Sequence, residues 1–267
     1  MDLKRILTAV LGLPLVIITI IFGNKYLIDT LFTIIAIICM HEYLGVIEKV
    51  SHPIKWIAYL STLGVSAVSF LEQDMLMKVI VFSIPIIILI LFLHVIFTNM
   101  KTTIKDAAYT FMGIFYVTFF IMCLSLIRCT HNGKAYIGYI FVVAWTTDIF
   151  AYLIGKKWGK HKFSKVSPKK SIEGCISGTV GSVICSIIYI MIISRYVNIE
   201  YSYLFISIMA LILSLISQIG DFVASSIKRF ADVKDYGNLL PGHGGMLDRI
   251  DSLIFIAPFL YMFLVIA

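Results

Sequence analysis

The feature that most limits what this chain can fold into is the length of its apolar runs. Nine segments carry such runs, near 6–22, 27–47, 55–71, 77–98, 108–127, 135–154, 174–194, 202–219 and 252–267. A helix needs about 20 consecutive, mostly apolar residues to cross a bilayer. The third and last runs are short. Composition closes the soluble alternative: 60% of the 267 residues are apolar and 14% are charged, where an ordinary globular domain carries roughly 25% charged residues. Too few charges remain to clothe a water-facing surface. The expected fold is all-α, a polytopic integral membrane helical bundle of about nine transmembrane helices with its N-terminus in the cytoplasm.

The first run follows Lys4 and Arg5, as in a signal peptide, but it continues to about Phe22 without a small-residue cleavage site and more spans follow. It reads as an anchor. The five cysteines lie in or beside apolar runs without a CxxC pair, so neither a disulfide framework nor a zinc site is expected. The net charge of +7 would suggest nucleic acid in a soluble protein. Here it follows topology. With nine spans and a cytoplasmic N-terminus, 17 of the 22 Lys and Arg residues fall in inside segments, as the positive-inside rule requires. Nucleic-acid binding is therefore not expected.

The chain divides on paper into N-terminal spans (1–130) and C-terminal spans (131–267), together one membrane domain. Two long polar segments, 155–173 and 221–251, are expected to be the catalytic loops facing the cytoplasm. The second holds 5 of the 15 acidic residues: Asp221, Asp232, Asp235, Asp248 and Asp251. If span eight continues as a helix to Asp232, then Asp221, Ser225, Lys228 and Asp232 share one face at 100° per residue, opposite Val223, Ala224, Ile227, Phe230 and Ala231. An amphipathic surface helix would look similar. Charges entering a membrane bundle are costly, however, and are usually functional.

Beyond it runs Leu240-Pro241-Gly242-His243-Gly244-Gly245-Met246-Leu247-Asp248-Arg249-Ile250-Asp251. Glycines let backbone N–H groups approach an anion closely, although the pattern fits neither GxxxxGK[ST] nor GxGxxG. Asp248 and Asp251, three apart at the start of span nine, point to one side. Helix capping accounts for one of them. Two, with Arg249 between and a Gly-rich turn beside, suit Mg²⁺ held together with substrate phosphates.

A second constellation begins at Asp148 and Tyr152. Asp148 is expected about six residues inside span six, roughly 9 Å from its end, and an intramembrane carboxylate is a functional-site hypothesis by default. The basic loop after it ends Ser167-Pro168-Lys169-Lys170-Ser171-Ile172-Glu173-Gly174. Ser167 is the expected N-cap, with Pro168 at the first helical position, which would place backbone donors and two lysines where an anion docks. Gly174, Gly178 and Gly181, with Ser177 and Ser182, form a stripe suited to close helix packing. Glu42, buried by position in span two, has three readings: a pair with His41, a pair with a basic loop residue, or a place at the site.

Ser225-Ser226-Ile227-Lys228-Arg229, Lys234-Asp235, Gly237, Pro241, His243-Gly244-Gly245 and Asp248-Arg249-Ile250-Asp251 resemble the signature of the phosphatidate cytidylyltransferases, the CDP-diacylglycerol synthases. Asp148, Ala151-Tyr152, Gly155, Gly159-Lys160 and Ser167-Pro168-Lys169-Lys170 through Glu173-Gly174 are similar to that family's other loop. The family commonly has Thr and Trp where this chain has Ser171 and Ile172, so the hydroxyl is kept and the aromatic is lost. The N-terminal half matches only in its hydrophobic layout. The resemblance implies that CTP and phosphatidate give CDP-diacylglycerol and pyrophosphate, at a membrane site open to lipid. It implies a bacterial inner-membrane location with the active site facing the cytoplasm.

On this reading Asp221 and Asp248 hold Mg²⁺, assisted by Asp251 and Asp148, with room for an added monovalent ion. Lys228, Arg229, Lys234 and Arg249 bind phosphates. His243, Gly244 and Gly245 contact the triphosphate or leaving pyrophosphate, and Asp235 belongs to the same catalytic set. Ser225, Ser167, Lys169, Lys170 and Tyr152 line the substrate site. A homodimer is compatible with it. The alternatives are a CTP-dependent polyprenol kinase and a transporter. A transporter would show polar residues near mid-membrane in two related halves, whereas here the acids gather after span eight.

Overall fold

A computed structural model describes residues 18–20, 22–70, 73–162, 167, 170–199, 201–239, 242 and 244–266. Eight helices make up the described chain: α1 (Lys25–Ile47), α2 (Lys55–Val68), α3 (Gln73–Phe97), α4 (Ile104–Cys129), α5 (Gly133–Trp158), α6 (Ile172–Ile193), α7 (Tyr203–Phe230) and α8 (Leu247–Ile266). All except α2 are long and apolar enough to cross a membrane. The protein is thus an all-α, polytopic integral membrane protein. The described residues hold seven such helices, not nine. The expected span at 6–22 lies largely outside them. That at 55–71 is a helix of 14 residues, about 21 Å long against a hydrocarbon core of about 30 Å.

The chain forms two compact units, Met1–Leu126 with Phe230–Arg249, and Ile127–Arg229 with Ile250–Ala267. In the first, α1 to α4 pack around Tyr43, Met40, Leu44 and Ile114, all fully buried. Polar side chains stitch it internally, as bilayer-embedded helices need. The Tyr43 hydroxyl donates to the Tyr109 carbonyl at 3.0 Å. The Thr62 and Thr118 hydroxyls meet at 2.8 Å. Buried Asp106 accepts from Ser51 and from the His52 N–H, and closes a capping box with Thr103 at the start of α4. Between Ile114 and Phe119 that helix widens into π turns, a local fault that often marks function or strain.

In the second unit α5 and α6 are in backbone contact, and glycine makes this possible. A Cβ on Gly174 would sit 2.7 Å from the Ala151 carbonyl oxygen, and one on Gly178 would sit 2.7 Å from that of Thr147. The small-residue stripe is therefore a packing face, as its spacing predicts. A polar seam joins α7 to this pair. Thr147 and Ser214 hydroxyls lie 2.8 Å apart, Ser214 donates to Thr179 at 3.3 Å, and the Gln218 amide donates to Thr179 at 3.0 Å and to the Cys175 carbonyl at 3.2 Å. Gln218 is one turn from Asp221, so the seam fixes the register of the helix that carries it.

Candidate functional site

In the first unit the chemistry-bearing segment is the turn that enters α8. It has left-handed backbone at Asp232 (φ 53°), Gly242 (φ 78°) and Gly244 (φ 84°), a conformation that costs glycine little. Here the structure corrects one expectation. α7 ends at Phe230, so Asp232 lies past the helix and does not share the face of Asp221, Ser225 and Lys228. Four backbone N–H groups of this segment are committed to two carboxylates of the protein itself. Asp248 Oδ2 accepts from the N–H of Tyr236 at 2.8 Å and of Gly245 at 3.0 Å. Glu42 Oε1 and Oε2 accept from the N–H of Met246 and Leu247, each at 2.8 Å.

These bonds have a plain physical basis. The first N–H groups of a helix lack intrahelical partners, and each donor left unsatisfied in a buried place costs about 1–3 kcal/mol. α8 starts at Leu247, and Glu42 reaches in from α1 to satisfy its first donor and the one before it. The carboxylate also lies at the positive end of the helix dipole. Of the three readings of Glu42, pairing with His41 fails: the His41 Nδ1 is 2.8 Å from the Tyr59 hydroxyl instead. Sequence reasoning left Glu42 undecided. The signal that could have found its role is a lone carboxylate in an apolar helix. Elsewhere in the turn Lys234, Asp235 and Arg249 are exposed. His243 and Pro241 lie outside the described residues.

In the second unit Asp221, half-buried on α7, forms an ion pair with Lys170, whose ammonium also lies 4.7 Å from the centre of the Phe222 ring. Asp251, on α8, is 6% exposed and accepts from the Ser252 N–H at 2.7 Å. Asp221, Lys228 and Asp148 all lie within electrostatic reach of it. The close approach of α7 and α8 here depends on Gly220, whose Cβ would fall 2.7 Å from that of Phe255 and 3.1 Å from the Asp251 carbonyl oxygen. Ser225 and Lys228 follow Asp221 at one and two turns on α7 and are half-buried; Arg229 is exposed.

Asp148 lies farther from its helix end than expected. α5 runs on to Trp158, which puts Asp148 ten residues, about 15 Å, from the helix end. It is exposed on its unit, and Tyr152, one turn on, is exposed as well, with the Lys156 ammonium 5.7 Å from its ring centre. The N-cap of α6 is Ser171, not Ser167: the Ser171 hydroxyl accepts from the Gly174 N–H at 3.2 Å, and α6 begins at Ile172. Ser167 sits upstream, its carbonyl accepting from the Lys170 N–H at 3.1 Å. Lys169 lies outside the described residues. His161 is held against the start of α6, where Glu173 accepts from its Nδ1 at 2.6 Å and the Ile172 N–H donates to its carbonyl at 2.9 Å.

Among the described residues no three His, Cys, Asp or Glu side chains converge as a ready-made metal cage. That is compatible with Mg²⁺, which keeps several waters and takes one or two carboxylates plus substrate phosphates. Asp221, Asp251 and Asp148 offer hard oxygen donors of the right type. A zinc or iron site would ask for imidazole or thiolate instead.

The profile of the cytidylyltransferase family matches residues 3–267. The phosphatidate cytidylyltransferase of Staphylococcus aureus (strain COL) is 34% identical over 267 residues, 98% of each chain. That of Bacillus subtilis (strain 168) is 36% identical over 200 residues, 74% of this chain and 72% of its relative. A match over nearly the whole length, including both polar segments, leaves one assignment: the chain belongs to the cytidylyltransferase family.

Proposed function

We propose that this protein is a phosphatidate cytidylyltransferase: a phosphatidate oxygen attacks the α-phosphorus of CTP, CDP-diacylglycerol forms, and pyrophosphate leaves. The observation that carries the reading is a buried carboxylate, Asp251, with Asp221, Asp148 and Lys228 within electrostatic reach of it on membrane-spanning helices. Carboxylates and an ammonium carried on membrane-spanning helices suit a reaction between phosphates, one of which arrives on a lipid.

The nucleophile is already an ionised phosphate, so no strong general base is required. Catalysis is then charge neutralisation and in-line alignment. Asp221 would hold Mg²⁺ together with substrate phosphates, Asp251 and Asp148 would assist through their charge, and Asp248 is the carboxylate proposed for the metal role in the first unit. Bound there, the metal supplies charge neutralisation to the phosphates. Lys228, Arg229, Lys234 and Arg249 bind phosphate oxygens, and Ser225 and Lys170 orient the nucleotide. In the first unit, contact with the triphosphate is assigned to Asp235, His243 and the turn at Gly244 and Gly245. Gly245 contributes shape rather than a donor, because its N–H is held by Asp248.

The site faces the cytoplasm of a bacterial inner membrane, where CTP is available. In the second unit the end of α5, the start of α6 and the end of α7 carry Lys156, Lys157, Lys160, Lys162, Lys170, Lys228 and Arg229, the excess that the positive-inside rule assigns to that side.

The test is the purified protein with phosphatidate, α-³²P-CTP and Mg²⁺, with and without chelator. Label is expected in the lipid, and chelator is expected to abolish its transfer. Label left wholly in free CDP, with γ-phosphate on the lipid, would make the protein a CTP-dependent kinase instead.

A further inference from the structure

We infer that Glu42 is a positioning residue: its carboxylate locks the glycine turn that presents Asp248. The bonds to Met246 and Leu247 join α1 to residues 204 and 205 positions farther along the chain. Glu42 is 7% exposed, so its carboxylate is largely withdrawn from bulk water. Beside this bond pair Asp248 takes the N–H of Gly245, so three successive N–H groups are divided between the two acids. Moving Glu42 therefore moves the strand of backbone that aims Asp248.

Two glycines of the signature gain a reason from this lock. A Cβ on Gly245 would lie 2.6 Å from Glu42 Oε2, and one on Gly237 would lie 3.0 Å from Oε1. Both glycines leave the room that the Glu42 head group fills. Glu42, Gly237 and Gly245 act as one part: an acid on α1 and a turn shaped to take it. The inference rests on the proposed reaction only for its kinetic readout. Its structural readout needs neither nucleotide nor metal.

The experiment is hydrogen–deuterium exchange on the full-length protein in detergent, read at peptides covering 244–250. Glu42→Ala is expected to speed exchange there by about tenfold or more, because the amides lose their acceptors. Glu42→Gln, which keeps one acceptor oxygen, is expected to fall between Ala and the parent. Gly245→Ala should raise exchange in the same peptides even with Glu42 present. Gly45→Ala, on the same helix with open space at its Cβ, should leave them unchanged. In the CTP assay Glu42→Gln is expected to lower kcat while KM for CTP stays within about twofold.

Unchanged exchange at 244–250 in a folded Glu42→Ala protein would overturn the inference. So would an equal rise at peptides around Ser51 and Asp106, which would make Glu42 a general strut. If Glu42→Ala fails to accumulate in the membrane, Glu42→Gln and Gly245→Ala decide. A parent protein with no transferase activity would sink the proposed reaction and leave the exchange result standing.

Discussion

The two units hold their acids in different ways. In the first, Asp248 and Glu42 accept from backbone N–H groups at 2.8 to 3.0 Å. In the second, Asp221 is paired with the ammonium of Lys170, and Asp251 has Asp148, Asp221 and Lys228 around it. Backbone donors cannot leave without unwinding a turn, so they fix a carboxylate in place. A lysine on a four-carbon stem can swing away and be replaced by another cation. The first unit thus holds an acid of fixed direction, and the second holds an acid, Asp221, whose counter-charge sits on a flexible side chain.

The largest expected effect tests the fixed half. Asp248→Asn is expected to abolish turnover, a loss of about 10³-fold or more, while the protein still inserts and folds. Its amide oxygen can still accept from Tyr236 and Gly245. The NH₂ group then stands where the second carboxylate oxygen was, with the wrong polarity for a cation. Rates near those of the parent, with normal membrane accumulation, would remove Asp248 from the chemistry and leave it a structural cap.

The exchangeable half should respond more gently. Lys170→Ala is expected to raise KM for CTP about tenfold, with a smaller change in kcat, because one charge-assisted contact is lost. The competing outcome is informative. If Lys170 only neutralises Asp221, its removal lowers the Mg²⁺ needed for half-maximal rate and leaves KM for CTP alone. That pattern would break the view that Lys170 transfers from Asp221 to nucleotide.

Below the charges lies the packing that brings α7 and α8 together. Gly220→Ala forces a methyl group to within 2.7 Å of the Phe255 Cβ, and overpacking of this kind costs about 1–3 kcal/mol. A lower melting temperature in detergent is the readout. Gly64→Ala, with nothing near its Cβ, should raise it slightly, since alanine is the better helix former by up to about 1 kcal/mol. Equal melting in the two variants would show that the close approach at Gly220 is dispensable.

How much of this was legible in the sequence varies by kind of interaction. The apolar runs show the membrane class, because bilayer thickness sets a length that composition alone reveals. The helical continuation through Asp221, Ser225 and Lys228 is legible in the phase of polar and apolar residues. The end of that helix is not: Asp232 has the right spacing, but its left-handed backbone puts it beyond the last turn. Glu42 was legible as a costly intramembrane acid. Its partners were hidden, because they are backbone N–H groups more than 200 residues away and leave no side-chain signature. The cap of α6 was misplaced for a subtler reason. Ser167 followed by Pro168 fits the local rule for a helix start, yet the helix begins where Gly174 can press against the Ala151 carbonyl oxygen, and that contact is tertiary.

The two serines of that loop give the smallest and sharpest test. Ser171 is 2% exposed and its hydroxyl caps α6. Ser171→Ala should cost about 1 kcal/mol of stability, and Ser171→Thr should recover most of it, since either hydroxyl can accept from the Gly174 N–H. Ser167 does not cap α6, so Ser167→Ala should leave melting within about 0.5 kcal/mol of the parent. Its expected effect is instead on KM for CTP, through the loop that leads to Lys170. The pair separates two meanings of a serine in a basic loop: one holds the helix that follows Lys170, and the other is proposed to meet the nucleotide. If Ser167→Ala lowers the melting temperature as far as Ser171→Ala does, the loop is a single structural piece, and the substrate contacts of the second unit must be sought on α7.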